Sequence, residues 1–176
     1  LEGDYESEGS IDKHVDFGPF VSLHAKRKLI IQPSSTGQLR IEAPNNWTAW
    51  EGIEVFSPVQ VVGAGEWSMD ADLNNNGSGF LLFAQTSNVT TTSALVSAVT
   101  IVAADADILC EFLGYTADIH IKTSITIDST ISLGARQTGF HLRDFEMDHI
   151  DTNGTFTVGG EDTAHIVIDG FTYAGQ

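Results

Sequence analysis

The chain has 176 residues, and its hydrophobic fraction of 41% is enough to build the core of one domain. Its 24 acidic residues face 8 basic ones, which gives a formal net charge of −16. Because nucleic acid binders need clustered cations, this charge argues against direct binding of nucleic acid. The single cysteine, Cys110, excludes a disulfide within the chain, and its apolar neighbours predict a buried thiol.

The excess of acids is also typical of proteins that fold in concentrated salt. Carboxylates keep such a surface hydrated, while molar salt screens their mutual repulsion within a few ångströms. The composition therefore predicts a halophilic protein. An acidic surface protein from ordinary salt is the alternative.

The predicted elements begin after an acidic N-terminal arm over residues 1–12, and residues 13–176 form a single β domain. Apolar and polar residues alternate around Leu39–Ile41 and Ile53–Val55, and most clearly in one long strand from Ile119 to Leu133. Residues 93–105 fit a helix or a buried strand. The alternation changes parity across Arg143–Asp144, which predicts a bulge or a strand end there.

Short strands separated by turn signals predict an all-β fold, and we expect a single jelly-roll sandwich or barrel. The alternative is a right-handed parallel β-helix. Hydrophobic runs open at Ile53, Phe80, Phe112, Phe140 and Ile166, at spacings of 27, 32, 28 and 26 residues. The rungs of a solenoid would give such spacings, but so would an array of hairpins, and the unequal steps favour the sandwich. The longest apolar stretch, residues 94–104, is shorter than the ~20 residues that a membrane helix needs.

A candidate calcium loop lies between two predicted strands. Its oxygen-bearing side chains are Asp70, Asp72, Asn74 and Asn76. From Asp72 the sequence reads D-x-N-x-N-G, the first half of a calcium-binding loop, in which glycine lets the chain turn around the ion. Position twelve is Phe83 instead of glutamate, which excludes an EF-hand. Asparagine-rich turns also occur without any ion, so the sequence predicts no cofactor, with calcium at this loop as the alternative.

Four asparagines stand in N-x-S/T sequons and are candidate glycosylation sites on an exterior protein: Asn46, Asn76, Asn88 and Asn153. Chance matches in a threonine-rich chain are the alternative.

The one cationic cluster is Lys26, Arg27 and Lys28. It is a candidate interface for the acidic arm of another copy, or for anionic lipid headgroups. A solvated turn is the alternative.

No sequence signature of catalysis stands out. The chain has no G-x-S-x-G elbow, P-loop or dinucleotide fingerprint, and its histidines lack the spacing of a zinc site and are expected on solvent-facing strand positions. The carboxylates of Asp105 and Asp107 would suit a glycosidase, but an isolated pair among 24 acids is weak support. We therefore predict that the protein is not an enzyme.

In size, acidity and strand pattern, the whole chain resembles the smaller capsid proteins of membrane-containing icosahedral viruses of halophilic archaea. No diagnostic motif carries this resemblance, so it assigns no functional residue. It implies a single jelly-roll and a structural virion protein. Such a capsid subunit would assemble with copies of itself and a larger capsid partner over an internal lipid membrane.

The alternative function is a glycan- or host-binding β-domain of a tail spike or secreted adhesin, placed extracellularly or at a cell surface. Trp47 and Trp50 would then be exposed and would stack on sugar rings. A polysaccharide-cleaving β-helix enzyme is a third hypothesis.

Overall fold

The computed structural model describes residues 14–32, 37–124, 129–135, 139–161 and 163–169. The predicted arm, residues 1–12, lies outside this part of the chain. The regular structure of the described residues is almost entirely β-strand, so the predicted all-β class is confirmed. The strands are β1 (His14–Phe17), β2 (Val21–Ala25), β3 (Lys28–Ile31), β4 (Gln38–Ala49), β5 (Gly52–Val55), β6 (Val59–Asp70), β7 (Phe80–Phe83), β8 (Val89–Thr91), β9 (Val96–Ala103), β10 (Asp105–Ile108), β11 (Phe112–Tyr115), β12 (Asp118–Thr123), β13 (Thr130–Gly134), β14 (Phe140–Leu142), β15 (Ile150–Thr152), β16 (Phe156–Val158) and β17 (His165–Asp169), with one short helix, α1 (Asp144–Asp148).

The strands wind as a coil with three sides. The first side stacks β1, the first half of β4, the first half of β6, β8, β11 and β15. The second side stacks β2, the second halves of β4 and β6, then β9, β12 and β16. The third side holds β3, β5, β7 and β10, followed by a separate sheet of β14, β13 and β17. Each coil thus pairs with the coil before it, which is the strand arrangement of a parallel β-helix.

The expected jelly roll is not confirmed. A jelly roll is built from antiparallel strands, whereas every described strand pair here is parallel. Parallel neighbours cannot be joined by a tight hairpin, so the chain returns to a side only after a full turn of the coil. Among the described strands, the consecutive pair β13 and β14 is the exception. The strand arrangement is that of the alternative fold, the parallel β-helix.

Inward-facing side chains stack directly on their counterparts one coil later. The backbone register gives a continuous column through the second side: Leu23, Trp47, Met69, Ile101, Ile121 and Val158. Along β4, buried residues alternate strictly with less buried ones. Every second side chain of the strand therefore points inward, where it can join such a column. The buried apolar residues join into one cluster that includes side chains from all three sides.

Five aromatic side chains form an aromatic ladder in the interior: Phe17, Trp47, Trp67, Phe83 and Phe112. Successive ring centroids lie 5.1 to 6.3 Å apart with interplanar angles of 71° to 80°. These edge-to-face contacts each contribute about 0.5–1.5 kcal/mol beyond burial. The prediction of an exposed Trp47 is therefore wrong, because this ring is wholly buried; Trp50 is exposed as predicted.

Two other local predictions need correction or refinement. The long strand predicted from Ile119 to Leu133 is wrong, because β12 ends at Thr123 and β13 begins at Thr130 in another sheet. Alternation on both flanks hides the change from one sheet to the other. Residues 93–105 contain β9, so the strand reading of that segment is the correct one.

The parity change at Arg143–Asp144 is confirmed as a strand end: β14 stops at Leu142 and α1 follows. No helix in the described ranges is both long and apolar enough to cross a membrane.

Candidate functional site

The regular stacking of the third side is interrupted by an inserted segment. β13 is followed by β14, which pairs with it in parallel, and by α1, and only then does β15 start the next coil. β14 pairs with β13 on one side and packs near β10 on the other, and β10 forms the edge of its own sheet. A seam without a described strand pairing therefore runs between β10 and β14.

Two acidic side chains bridge this seam. One oxygen of Asp105, Oδ1, accepts hydrogen bonds from the backbone N–H of Ala106 and of His141, both at 3.0 Å. Oε1 of Glu146 accepts the backbone N–H of Ile108, also at 3.0 Å. The carboxylates thus satisfy backbone donors near the edge of β10.

Arg143 is held at the centre of the seam. Glu146, which is 0% exposed, accepts the Arg143 backbone N–H at 2.8 Å, Nε at 3.0 Å and Nη2 at 3.1 Å. Asp107 accepts a further bond from Nη2. The hydrogen bonds to Glu146 raise the pKa of Arg143 further, so this side chain stays cationic.

The charge of Asp107 is opposed by its surroundings. Burial raises the pKa of this carboxyl, and the attraction of Arg143 only partly offsets that rise. Nearby Glu146 and Asp105 push the Asp107 pKa in the same upward direction as burial. Asp107 therefore takes up a proton more readily than an ordinary aspartate.

An aromatic ring stands at the outer end of the seam. Phe145 is 42% exposed, and the Cζ atom of Arg143 lies 4.8 Å from its ring centroid. The His149 ring meets Phe145 edge-on at a centroid distance of 6.0 Å. These contacts restrict the orientation of the Arg143 guanidinium and of the Phe145 ring.

These groups line two adjoining open depressions of about 360 and 220 Å³, which share His141 and Arg143. His141 is buried, and its Nε2 lies 2.7 Å from the carbonyl oxygen of Gly134. We define the seam site as five side chains that line the depressions, together with the buried Glu146 that binds Arg143: Asp105, Asp107, His141, Arg143, Phe145 and Glu146. Chemically it offers carboxylate acceptors, a guanidinium donor and an apolar ring face at one place.

Most of the seam site cannot be predicted from the sequence. Asp105 and Asp107 stand out as a pair of carboxylates and the parity change marks Arg143, but no sequence pattern indicates that these residues are in contact. Asp107 and Arg143 are 36 residues apart, and only the coil brings them together. The expectation of solvent-facing histidines is wrong for His141, whose ring is enclosed behind β14, whereas His165 is exposed.

The predicted calcium residues occupy the connection between β6 and β7. Asp72 is fully buried, Asp70 is partly buried, and Asn74 and Asn76 are exposed. Within the described ranges, no group of three or more His, Cys, Asp or Glu side chains is placed to hold a metal ion by itself. The loop therefore depends on amide and carboxylate oxygens together if it holds a cation.

The predicted cationic cluster lies at the corner between β2 and β3. Arg27 Nε is 3.1 Å from Glu51, and Lys28 Nζ is 2.7 Å from Glu54, in both cases one coil later. Lys26 is exposed. Two of the three charges thus already have partners within the chain.

The four sequon asparagines are all exposed: Asn46, Asn76, Asn88 and Asn153.

Cys110 is buried as predicted, and burial raises the pKa of its thiol to about 12. That thiol is not a nucleophile at neutral pH, because almost none of it is ionised.

Comparison with protein-family models, curated proteins and solved structures finds no match for this chain.

Proposed function

We propose that the chain is a surface-exposed binding domain that holds a neutral glycan at the seam site without cleaving it. The supporting observation is the convergence of Asp107, Arg143 and Phe145 on adjoining depressions. A shallow site with a few fixed polar groups beside an aromatic ring suits a ligand that has both hydroxyls and an apolar face.

Sugar hydroxyls both donate and accept hydrogen bonds, and the seam site supplies both kinds of partner. Carboxylate oxygens of Asp105 and Asp107 accept from hydroxyls, and the guanidinium of Arg143 donates to them. Buried Glu146 holds the guanidinium in place through three hydrogen bonds. Little side-chain freedom is then lost when a ligand binds.

The charge of the protein favours neutral over acidic sugars. A net charge of −16 repels a uronate or sialic acid, and the one cation of the seam site is already bound to two carboxylates. Phe145 would stack on the C–H face of a neutral pyranose ring. Tail spikes and adhesins at cell surfaces are settings in which such binding would act.

The test is a screen of the full chain on neutral and acidic oligosaccharides, followed by calorimetry on the best ligand. We expect Asp107→Asn and Phe145→Ala each to weaken binding about tenfold or more, since each removes a contact worth on the order of 1–3 kcal/mol. Asp151→Asn is the matched control, because Asp151 is an exposed residue of β15 outside the seam site, and this variant should bind like the wild type.

Two results would replace this proposal. Release of new reducing ends from the bound oligosaccharide would indicate that Asp105 and Asp107 act as a catalytic pair. Selective binding of uronates would contradict the argument from charge.

A second candidate is the structural virion subunit implied by the capsid resemblance. Ile166 and Ile168 support it, because they are 50% and 66% exposed on β17, an edge strand of its sheet. Exposed apolar side chains at a sheet edge favour contact with another copy or another capsid protein. Sedimentation of the wild type and of Ile166→Lys/Ile168→Lys at high salt tests this role, and a monomeric wild type would contradict it.

The capsid hypothesis also retains its predicted contact at Lys26, Arg27 and Lys28, with the acidic arm of a neighbour or with lipid headgroups. Reversal of Lys26 to Glu is the cleanest probe, since Arg27 and Lys28 already pair with Glu51 and Glu54. Loss of assembly or of binding to anionic vesicles, with an unchanged melting temperature, is the expected outcome.

A further inference from the structure

We infer that the loop of residues 70–78 binds a calcium ion, with the carboxylate of Asp72 as its central ligand. Asp72 is 0% exposed, and its Oδ1 atom is buried with no hydrogen-bond partner among the described residues. A buried carboxylate is costly unless it is paired, and no described lysine or arginine forms an ion pair with Asp72. A bound cation would supply the missing partner.

The unpartnered oxygen belongs to a carboxylate that lies inside the loop. Its other oxygen, Oδ2, accepts the backbone N–H of Gly77 at 2.9 Å, across the loop, and the hydroxyl of Ser124 at 2.6 Å. Gly77 adopts a positive φ of 76°, which turns the chain back toward Asp72. The loop is therefore already closed around this side chain.

The spacing of the remaining oxygens suits a hard cation. Counting from Asp72, the side chains of Asn74 and Asn76 fall at positions three and five, and Gly77 falls at position six, as in calcium-binding loops. Both asparagines are exposed, and Asn76 Oδ1 accepts hydrogen bonds from the backbone N–H and the hydroxyl of Ser78. Carboxylate and amide oxygens in a flexible loop favour Ca²⁺ over Mg²⁺, which demands tighter octahedral geometry.

Asp70 provides a second carboxylate. Its Oδ1 accepts the backbone N–H of Asp72 at 3.0 Å, which places the two acids side by side. A divalent cation between the two would relieve their repulsion.

The site lacks the bidentate glutamate of high-affinity loops, because position twelve is the core residue Phe83. We therefore expect a dissociation constant on the order of 0.1–1 mM, the range of extracellular calcium modules. Occupancy would be structural, since Ser124 follows β12 and connects Asp72 to a later coil.

The experiment uses the full chain, stripped with EGTA and titrated with CaCl₂ or MgCl₂ by calorimetry and thermal melting. Calcium at about 100 times its dissociation constant should raise the melting temperature of the wild type by about 5–10 °C. Asp72→Asn and Asn74→Ala should each weaken calcium binding tenfold or more. Asp151→Asn is the matched control and should respond like the wild type.

Asn74→Ala keeps the test decisive if Asp72→Asn fails to fold, because the Asn74 side chain is exposed. Identical melting of the wild type in calcium and in EGTA, with no heat of binding, would overturn the inference. An equal response to magnesium would overturn the assignment to calcium. Neither result depends on glycan binding, which is measured separately in EGTA.

Discussion

At the scale of single residues, two buried acids have opposite surroundings. Glu146 accepts backbone and guanidinium hydrogen bonds through both of its oxygens, whereas Asp72 keeps one oxygen without a partner among the described residues. The cost of burying Glu146 is offset within the chain, because Arg143 neutralises its charge. For Asp72, the proposed calcium ion would supply that compensation.

Glu146→Gln should destabilise the fold by about 2–4 kcal/mol, because it removes the charge that holds Arg143 and leaves a buried network partly unsatisfied. Urea unfolding measures this loss. Glu66→Gln, at an exposed position of β6, should change stability by less than about 0.5 kcal/mol. Equal midpoints for the two variants would show that Glu146 contributes nothing specific.

Burial raises the pKa of Asp70, which gives a prediction about pH in the absence of calcium. Between the unfolded pKa of 3.8 and the higher folded value, the folded chain holds the Asp70 proton more tightly than the unfolded chain. This group's contribution to stability therefore falls as pH rises through that interval. Asp70→Asn should flatten this part of the profile, measured by urea unfolding in EGTA between pH 4 and 7. An unchanged slope would contradict the assignment.

At the scale of elements, alternation located strands correctly around Leu39–Ile41 and Ile53–Val55 but could not give their direction. A period of two places side chains on opposite faces whether the neighbouring strand is parallel or antiparallel. The coils do not give a regular sequence repeat, because they contain different numbers of residues. Trp47 pairs with Met69, but Met69 pairs with Ile101, which is further away in the sequence. Turns before β7 were recognisable, since asparagine and glycine cluster there.

The close approach of two backbone segments at Gly79 gives a test of coil geometry. A Cβ atom on Gly79 would lie 2.1 Å from the carbonyl oxygen of Ala71 and 2.5 Å from Asp72 Cα, so the backbone would have to move. We expect Gly79→Ala to cost about 2–3 kcal/mol or more in thermal or urea unfolding.

Gly18→Ala is the matched control for this substitution, because nothing lies within 4 Å of its added methyl group. It should leave stability within about 0.5 kcal/mol of the wild type. Equal losses from both substitutions would indicate a general effect of replacing glycine instead of a specific clash.

At the scale of the whole molecule, the net charge of −16 makes stability depend on salt. The Debye length is ~30 Å at 0.01 M salt and ~3 Å at 1 M, so repulsion between surface carboxylates is screened only at high salt. We expect the melting temperature in EGTA to rise by at least about 5 °C between these two conditions.

The variant Glu66→Lys/Asp151→Lys lowers the magnitude of the charge at two exposed positions and should respond less to salt. A general effect of salt on apolar burial is shared by both proteins and cancels in the comparison. Equal responses would remove the halophile hypothesis.

The seam site shows why function was harder to predict than β-structure. Its members come from β10, β14, α1 and Arg143 between the last two, and the inserted segment has no counterpart among the described strands of the other coils. Local patterns revealed the strand end at Arg143 but not its partner Asp107 on a distant strand. The candidate calcium residues could be named from the sequence because they lie in one short segment, whereas the burial of Asp72 could not.

The aromatic ladder has an optical consequence. Trp47 and Trp67 are buried with ring centroids 5.1 Å apart and an interplanar angle of 80°, whereas Trp50 is partly exposed. Indole transitions held this close in a chiral interior couple, so the near-ultraviolet circular dichroism should report stacking of the coils and vanish when they separate. Trp50 should instead account for the fluorescence that neutral acrylamide quenches in the native state. The chain thus contains separate built-in reporters for its interior and its surface.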